Sequence, residues 1–531
     1  MIAPIRDLIE RPSPSRDTLD EEAIATRSGL VRTPMPDRVA AIDVGSNSVR
    51  VAVVELGEDG QLEVIEEARD APCLIRDVEL HGGFTSASID RVVAALRSFL
   101  AIADATGARP IAVATSATRD ASNAGELIER VRDELGLEVR VIDGEEEARL
   151  AFLGAVHSLA ADDGFVLDVG GGSLEVVRFE ARRAAASWTL PLGAVRLTDR
   201  FLKSDRPSAS ELQAMRKFIT TQIKGADLPT LGDGEMLVGT GGTIRTLAKI
   251  DRARRPYPLS RLHGYDIERD KLRRIVDMLQ SRTLAARRSV SGLNEDRAET
   301  IVAGAHAVQA VVNALHASAV VVSGQGLREG VAIDAGSGVL PSADGLRRAA
   351  LRAITAKFAP RLDRLVEQRV AELEALIDAT AFVPPIEIAA ALEAAARVLD
   401  IGRTVDYYRR YRHTETLLLE HGLPGWSHRE LALICAIVRQ AEREKYDATT
   451  YRPLTSSVDM EPIARAAALL AVADEIARRR PPESDPIVWH IEDDQVVTAD
   501  ECLLDWPGDE LRPRFKRVFG LELCFDEGAR D

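Results

Sequence analysis

Two short segments of the chain carry the same set of small and polar residues. AIDVGSNS places Asp43 ahead of Gly45, Ser46, Asn47 and Ser48, and VLDVGGGS places Asp168 ahead of Gly170, Gly171, Gly172 and Ser173. Glycine and serine in a tight turn bring backbone N–H groups close to an anion, and the hydroxyls of Ser48 and Ser173 add donors. Two such turns can clasp one phosphate chain. The carboxylates at their heads are hard oxygen ligands, so Asp43 and Asp168 facing one gap would hold Mg2+, or Mn2+ in its place, directly or through water. A third glycine-rich element, LVGTGGTIRTLAKI, follows an apolar strand and opens a helix. Gly241, Gly242 and Thr243 therefore offer free backbone N–H groups at a helix N-terminus, where anions are stabilised. The element has neither the Gly-Lys-[Ser/Thr] of a P-loop nor the spacing of a dinucleotide turn, and a plain strand-to-helix turn is the alternative for it.

Each acid-headed turn lies between two β-rich runs, RVAAIDV before VRVAVVELG and GFVLDV before LEVVRFE. One constant offset superposes Asp43 on Asp168, Gly45 on Gly170, Ser48 on Ser173, Val51 on Val176 and Glu55 on Glu180, which marks an internal duplication. Behind the first turn, Ile89, Val92, Val93, Leu96, Phe99 and Leu100 recur at helical spacing, and PIAVATSA reads as a buried strand. Asn123 with Glu126 reads as a capping box, EVRVID as a strand, and 145–159 as a helix. That alternation predicts an α/β domain with helices on the faces of its sheet. Behind the second turn, helices near 210–223, from Thr243 and over 295–315, with the strands MLVGT and SAVVVSG, predict a second one. Residues 1–36, charged and proline-bearing, read as a flexible leader; 37–150 and 151–340 as the two α/β domains; 341–480, almost all Ala, Leu, Arg and Glu at helical spacing, as a helical domain; and 481–531 as a small α+β cap.

Composition bounds the function. At 531 residues, with 46% hydrophobic and 29% charged, the chain is of globular type with more than one core. Its net charge of −16 disfavours general adhesion to nucleic acid or anionic membrane, and a polyanionic substrate would need local cations to reverse the field. Cys73, Cys435, Cys502 and Cys524 form no C-x-x-C pair and neither a zinc nor a disulfide framework. With no secretion-type apolar run and no membrane span, the expectation is a soluble cytoplasmic protein.

In order along the chain, AIDVGSNS, ATSATRDASN, GEEEARL, VLDVGGGSLE, GTGGT and SGQGLREGV resemble the exopolyphosphatase and guanosine pentaphosphate phosphohydrolase family, a branch of the actin, sugar-kinase and Hsp70 superfamily. The resemblance implies two actin-like (ribonuclease H-like) domains around a cleft and Mg2+-dependent hydrolysis of a terminal phosphoryl group. Inorganic polyphosphate or pppGpp would be the substrate, and the protein a homodimer. By motif, Glu147 resembles the catalytic glutamate that directs water, with Glu145 and Glu146 as competitors, because neighbouring helical residues point about 100° apart. Arg119 resembles the arginine that grips the transferred phosphoryl group. Asp168 resembles the metal-binding aspartate, Ser173 a phosphate contact and Glu175 a second acid; alternation along a strand puts Glu175 on the same face as Ser173. Asp43, Ser46, Asn47 and Ser48 resemble the first phosphate loop. One departure stands at Gly324, where many relatives carry Asp.

The helical segment resembles an HD-type domain without its metal set, since Leu399 and Asp400 stand where a His-Asp pair would. His413, His421 and His428 are expected at the surface or an interface. Arg347 and Arg348, Arg409, Arg410 and Arg412, and Arg478 to Arg480 form basic runs that either guide polyphosphate or are solvated helix faces. Exopolyphosphatase activity is the main expectation and pppGpp 5′-phosphohydrolysis the nearest rival. A kinase of the same superfamily and a non-catalytic polyphosphate- or nucleotide-binding regulator are the others.

Overall fold

The structure is a computed structural model that describes residues 38–525, apart from 58–60, 337, 482–483, 499, 501, 504–505 and 509. The expected leader lies outside the described residues. The duplication appears directly in the strand topology. β1 (Arg38–Val44) pairs antiparallel with β2 (Val49–Leu56), which pairs with β3 (Leu62–Asp70); on its other side β1 runs parallel to β4 (Arg109–Ala114), followed by β5 (Val139–Val141). The second sheet repeats this with β6 (Gly164–Val169), β7 (Leu174–Glu180), β8 (Arg183–Leu190) and β9 (Met236–Thr240), and adds β10 (Tyr265–Glu268) beyond β11 (Ala319–Val322), in the order β10-β11-β9-β6-β7-β8. The inner strands β1 and β6 are buried along most of their length and read as nearly continuous apolar runs.

Two helices fill the space between the sheets, Gly144–His157 and Leu327–Ala335, in a core with Val39 and Val54 of one sheet and Val166 and Val238 of the other. They touch backbone to backbone: a Cβ on Gly154 would collide with the Gly326 carbonyl, and one on Gly330 with the Leu150 carbonyl. Asp143 caps the first helix, its Oδ1 accepting from the Glu146 N–H at 2.8 Å, and Glu145, Glu146 and Glu147 occupy the first turn, where the helix dipole favours acids.

Several local expectations change. Asn123 precedes the helix Ala124–Leu135 but does not cap it; its Oδ1 accepts from Phe84 N–H at 2.7 Å. The helix expected over 295–315 begins at Ile301, after a 3-10 turn at Glu295–Arg297. β3, β8 and β10 extend both sheets beyond the expected strands. The helical region runs from Ala343–Phe358 to Met460–Arg479, and the terminal strands β12 (His490–Glu492), β13 (Gln495–Thr498) and β14 (Glu522–Phe525) form a small sheet whose Val496 and Leu523 enter the helical region's own core. The cap is thus packed into that domain.

Several arginines of the basic runs in the helical region pair with acids: Arg347 with Glu430, Arg410 with Asp474, Arg478 with Asp474 and Glu475, and Arg480 with Glu372 and Asp500, while Arg348, Arg409 and Arg412 are exposed. At the expected His-Asp position, buried Asp400 pairs with the wholly buried Arg369, which also holds Asp474. His428 is buried against the second α/β domain.

Candidate active site between the two sheets

The acid-headed turns close in the same way. Gly45 N–H donates to the Ser48 carbonyl at 3.2 Å, and Gly170 N–H to the Ser173 carbonyl at 3.0 Å. The turns meet each other: a Cβ on Gly172 would come within 2.6 Å of Ser116 Oγ and 3.1 Å of Ser46 Oγ, and one on Gly171 within 3.2 Å of Asn47 Cβ. Ser46 Oγ is fixed by Ser116 Oγ at 2.7 Å and by the Ala117 N–H at 3.1 Å. Between and behind the turns lies a cleft of about 920 Å3, part of it open to solvent. Asp43, Ser46, Asn47, Ser48, Gly170, Gly171, Ser173 and Glu175 line it, as do Asp168, Glu147, Gly241, Gly242 and Thr243. Gly172 instead backs the contact between the turns.

The third glycine element joins the site by geometry. β9 runs beside β6 with Thr240 opposite Asp168, and Gly241 follows with φ +84°, a conformation that favours glycine. A Cβ there would overlap Asp168 Oδ1, so the residue is glycine for two independent reasons.

Of the three competing acids, Glu147 faces the cleft. Glu146 turns to Arg140 at 2.5 Å and Glu145 is exposed. Arg119 Nη1 donates to Glu147 Oε2 at 2.7 Å and to the Ile142 carbonyl at 2.8 Å, so it braces the glutamate and is not among the residues lining the cleft. Burial lifts the Glu147 carboxyl to about 7, against the opposing pull of Arg119 and with help from Asp43 and Asp168. Burial also lifts Asp43 to about 6, raises Asp168, and raises Glu175 well above the carboxylate range, where Glu147 and Asp168 add to the effect. Four acids that perturb one another share one site.

Asp43 Oδ1 and Glu175 Oε1 are sealed from solvent without a hydrogen-bond partner, and with Asp168 they form a donor set that a divalent cation would satisfy. Among the described residues no three acids, histidines or cysteines lie close enough to enclose an ion by themselves. Oxygens of water and substrate would complete the shell of an ion such as Mg2+, which keeps several waters in any case.

Four cleft arginines went unassigned in the sequence: Arg50, Arg245, Arg297 and Arg328. Desolvation and their mutual repulsion pull Arg50 down to about 9 and Arg297 to about 10, and lower Arg245. Arg50 stands opposite Asp43 across β1 and β2, as Glu175 stands opposite Asp168 across β6 and β7. The two halves of the duplication thus diverged at this position, one giving a guanidinium and the other a carboxylate. A signal existed: Arg50 lies two residues beyond Ser48, on the same strand face. The four arginines continue outward into an adjoining groove with Arg69 and Lys249. Among the described residues lining the cleft and this groove there is no aromatic side chain.

A family model described as the Ppx/GppA phosphatase family matches residues 52–336, and one described as Ppx/GppA phosphatase, domain III, matches 349–501. Exopolyphosphatase 1 of Mycobacterium tuberculosis is 32% identical over 299 residues, which cover 55% of this chain and 87% of that protein. A Vibrio vulnificus protein named guanosine-5'-triphosphate,3'-diphosphate pyrophosphatase is 26% identical over 477 residues, 87% of this chain and 91% of that one. Among solved structures, the Aquifex aeolicus member of the Ppx/GppA family superposes with a TM-score of 0.51 at 32% identity, covering 56% of this chain and 97% of its own. An exopolyphosphatase from Cytophaga hutchinsonii gives 0.52 at 27% identity, covering 57% and 99%.

Proposed function

From the premise that the chain belongs to the Ppx/GppA phosphatase family, we propose that its cleft hydrolyses the terminal phosphoanhydride bond of inorganic polyphosphate and releases orthophosphate. The observation that carries this is the convergence of Glu147 with Asp43, Asp168 and Glu175 between glycine turns that touch across the cleft.

The turns offer N–H groups and the hydroxyls of Ser48 and Ser173 to the terminal phosphoryl group, and Arg50, Arg245, Arg297 and Arg328 compensate its charge. Glu147, held by Arg119, takes a proton from water. The water oxygen bonds to the terminal phosphorus as the bridging P–O bond breaks, and the shortened chain leaves with that bond's electrons. A general base of this kind contributes about 10²–10⁴-fold. Asp43, Asp168 and Glu175 would hold Mg2+, which when bound supplies positive charge to the phosphoryl oxygens. The arginine-lined groove without an aromatic ring suits a linear chain of phosphates better than a base that needs a stacking partner. It also reverses, at the site, the field of a chain with net charge −16.

A second reading is pppGpp 5′-phosphohydrolysis, favoured by the Vibrio vulnificus relative, whose likeness extends through the helical region. The deciding experiment measures orthophosphate release from long-chain polyphosphate and from pppGpp side by side, with and without a chelator. Release from the polymer that the chelator abolishes supports the proposal; release from pppGpp alone overturns it.

A further inference from the structure

The turn 323–326, between β11 and the helix Leu327–Ala335, reaches the cleft through Gly326 and leads into Leu327 and Arg328, which also line it. Each polar group named here is held by a partner in another element. Thr240 Oγ1 donates to the Gln325 carbonyl at 2.5 Å, Arg245 Nη1 to the Gly324 carbonyl at 3.3 Å, and Ser158 Oγ to Gln325 Oε1. Gly324 N–H donates to His263 Nδ1 at 3.1 Å. Because that nitrogen accepts, the His263 ring is neutral and carries its proton on Nε2, which faces the Ser158 carbonyl at 3.4 Å and Ser158 Oγ at 3.3 Å. Burial and the nearby Arg261 charge push His263 down to about 4, in keeping with that state.

The helical region grips the same two residues from behind. His428, at the start of the helix His428–Glu442, donates through Nε2 to the His263 carbonyl at 2.9 Å and accepts from the Tyr257 hydroxyl at 2.8 Å. Gly425 N–H donates to the Ser158 carbonyl at 2.9 Å. His263 also occupies the room a side chain at 324 would need, since a Cβ on Gly324 would stand 3.3 Å from His263 Cβ.

We propose that His263 is a positioning residue through which His428 of the helical region fixes the turn 323–326, and with it Arg245 and Arg328 in the phosphate cleft. The relay rests on the polyphosphate reading only for its kinetic readout. Hydrogen exchange over 323–326 in the unliganded protein tests the relay without any substrate, and kinetics on long-chain polyphosphate tests its consequence. With His263→Ala we expect faster exchange in that turn and a KM raised about tenfold with kcat within about twofold. His263→Asn, whose amide oxygen accepts the Gly324 N–H, should recover most of the loss. His428→Ala should show a smaller effect of the same kind, and the double variant should be no worse than His263→Ala alone, the mark of one shared route. Unchanged exchange and KM in folded variants, or effects that simply add, would overturn the relay. If His263→Ala does not fold, exchange in His428→Ala decides alone. A wild-type protein that releases no phosphate from the polymer defeats the polyphosphate reading and leaves the exchange test standing.

Discussion

Arg119 Nη1 lies 2.7 Å from Glu147 Oε2, so the arginine expected on the transferred phosphoryl group is bonded to the carboxylate assigned to water. The pair is mostly withdrawn from solvent, with 21% and 13% of the two side chains exposed, and its geometry fixes the glutamate's direction as well as its charge. Burial raises the Glu147 carboxyl to about 7 while Arg119 pulls it back toward ionisation.

The first prediction follows from that opposition. A general base acts deprotonated, so kcat should rise with pH through about 7 and level off above it. Arg119→Met removes the group that favours the charged form and should move this limb to higher pH. Glu147→Gln should lower kcat by about 10²–10⁴-fold while polyphosphate still binds. A pH profile of kcat for the three proteins checks all of this, and an unmoved limb in Arg119→Met removes Arg119 from the role.

Asp43 gives a prediction about stability. Its folded pKa of about 6 lies above the ordinary 3.8, so the folded state binds the proton more tightly. The stability this lends is complete below the unfolded value and is lost as pH rises through about 6, leaving at neutral pH an ionised carboxylate whose burial outweighs the pull of Arg50 and Arg328. The penalty is at most about 3 kcal/mol. Asp43→Asn should therefore melt higher than wild type in chelator at pH 7.5, and be inactive. Mg2+ should raise the wild-type Tm and not that of Asp43→Asn. Equal Mg2+ shifts in both proteins would take Asp43 out of the cation site.

The sequence made the glycine turns readable because turn chemistry is local: small residues, a hydroxyl and an acid within a few positions define each one. The duplication then placed both turns at equivalent strand ends, as β1-β2 and β6-β7 show. Charge was harder to read. Arg50, Arg245, Arg297 and Arg328 stand singly on four segments that only the folded chain brings together, whereas several arginines of the visible runs in the helical region meet acids of the same or another helix. Counting basic residues along the chain finds density, and a field at a site depends on which charges remain uncompensated after folding. His263 was unreadable for a related reason, since its partners Gly324 and His428 lie far from it in sequence.

The groove beyond the cleft predicts a dependence on chain length. Lys249 and Arg69, whose guanidinium also pairs with Asp296, line it and do not line the cleft that holds the acid cluster, so a long chain is expected to reach them and a short one is not. Lys249→Ala and Arg69→Ala should each raise KM for long-chain polyphosphate several-fold, leave KM for tripolyphosphate within about twofold, and weaken the salt dependence of the former. Equal losses on both substrates would place these side chains at the reacting end.

The last prediction concerns the charge cluster that stands where a His-Asp metal pair would. Arg369 is wholly buried, bonded to Asp400, to Asp474 at 2.9 Å and to the Ala396 carbonyl at 2.8 Å, while Arg410 reaches Asp474 at 2.5 Å. A guanidinium thus supplies the positive charge that joins two buried carboxylates, one in the turn after the helix Ile386–Val398 and one on the helix Met460–Arg479. Burial alone would raise Asp474, but Arg369, Arg410 and Arg478 outweigh it and hold the carboxyl below the usual range. A depressed folded pKa stabilises the protein above the unfolded value, and that contribution fades as pH falls below it. Arg369→Leu takes from Asp400 its nearest partner and from Asp474 one of three arginines and should cost about 3–5 kcal/mol in chemical denaturation, whereas Arg369→Leu combined with Asp400→Asn should recover part of that loss, because Asp474 and Arg410 then still pair with each other. The single variant should also lose less stability at acid pH than at neutral pH, because part of what holds Asp474 ionised is then gone. Divalent cations should change none of these values. A stabilising effect of Mg2+ or Mn2+ on Arg369→Leu at pH 7.5 would show instead that the two aspartates can take a metal once the arginine is gone, and that the charge, not the guanidinium's geometry, is what the fold requires there.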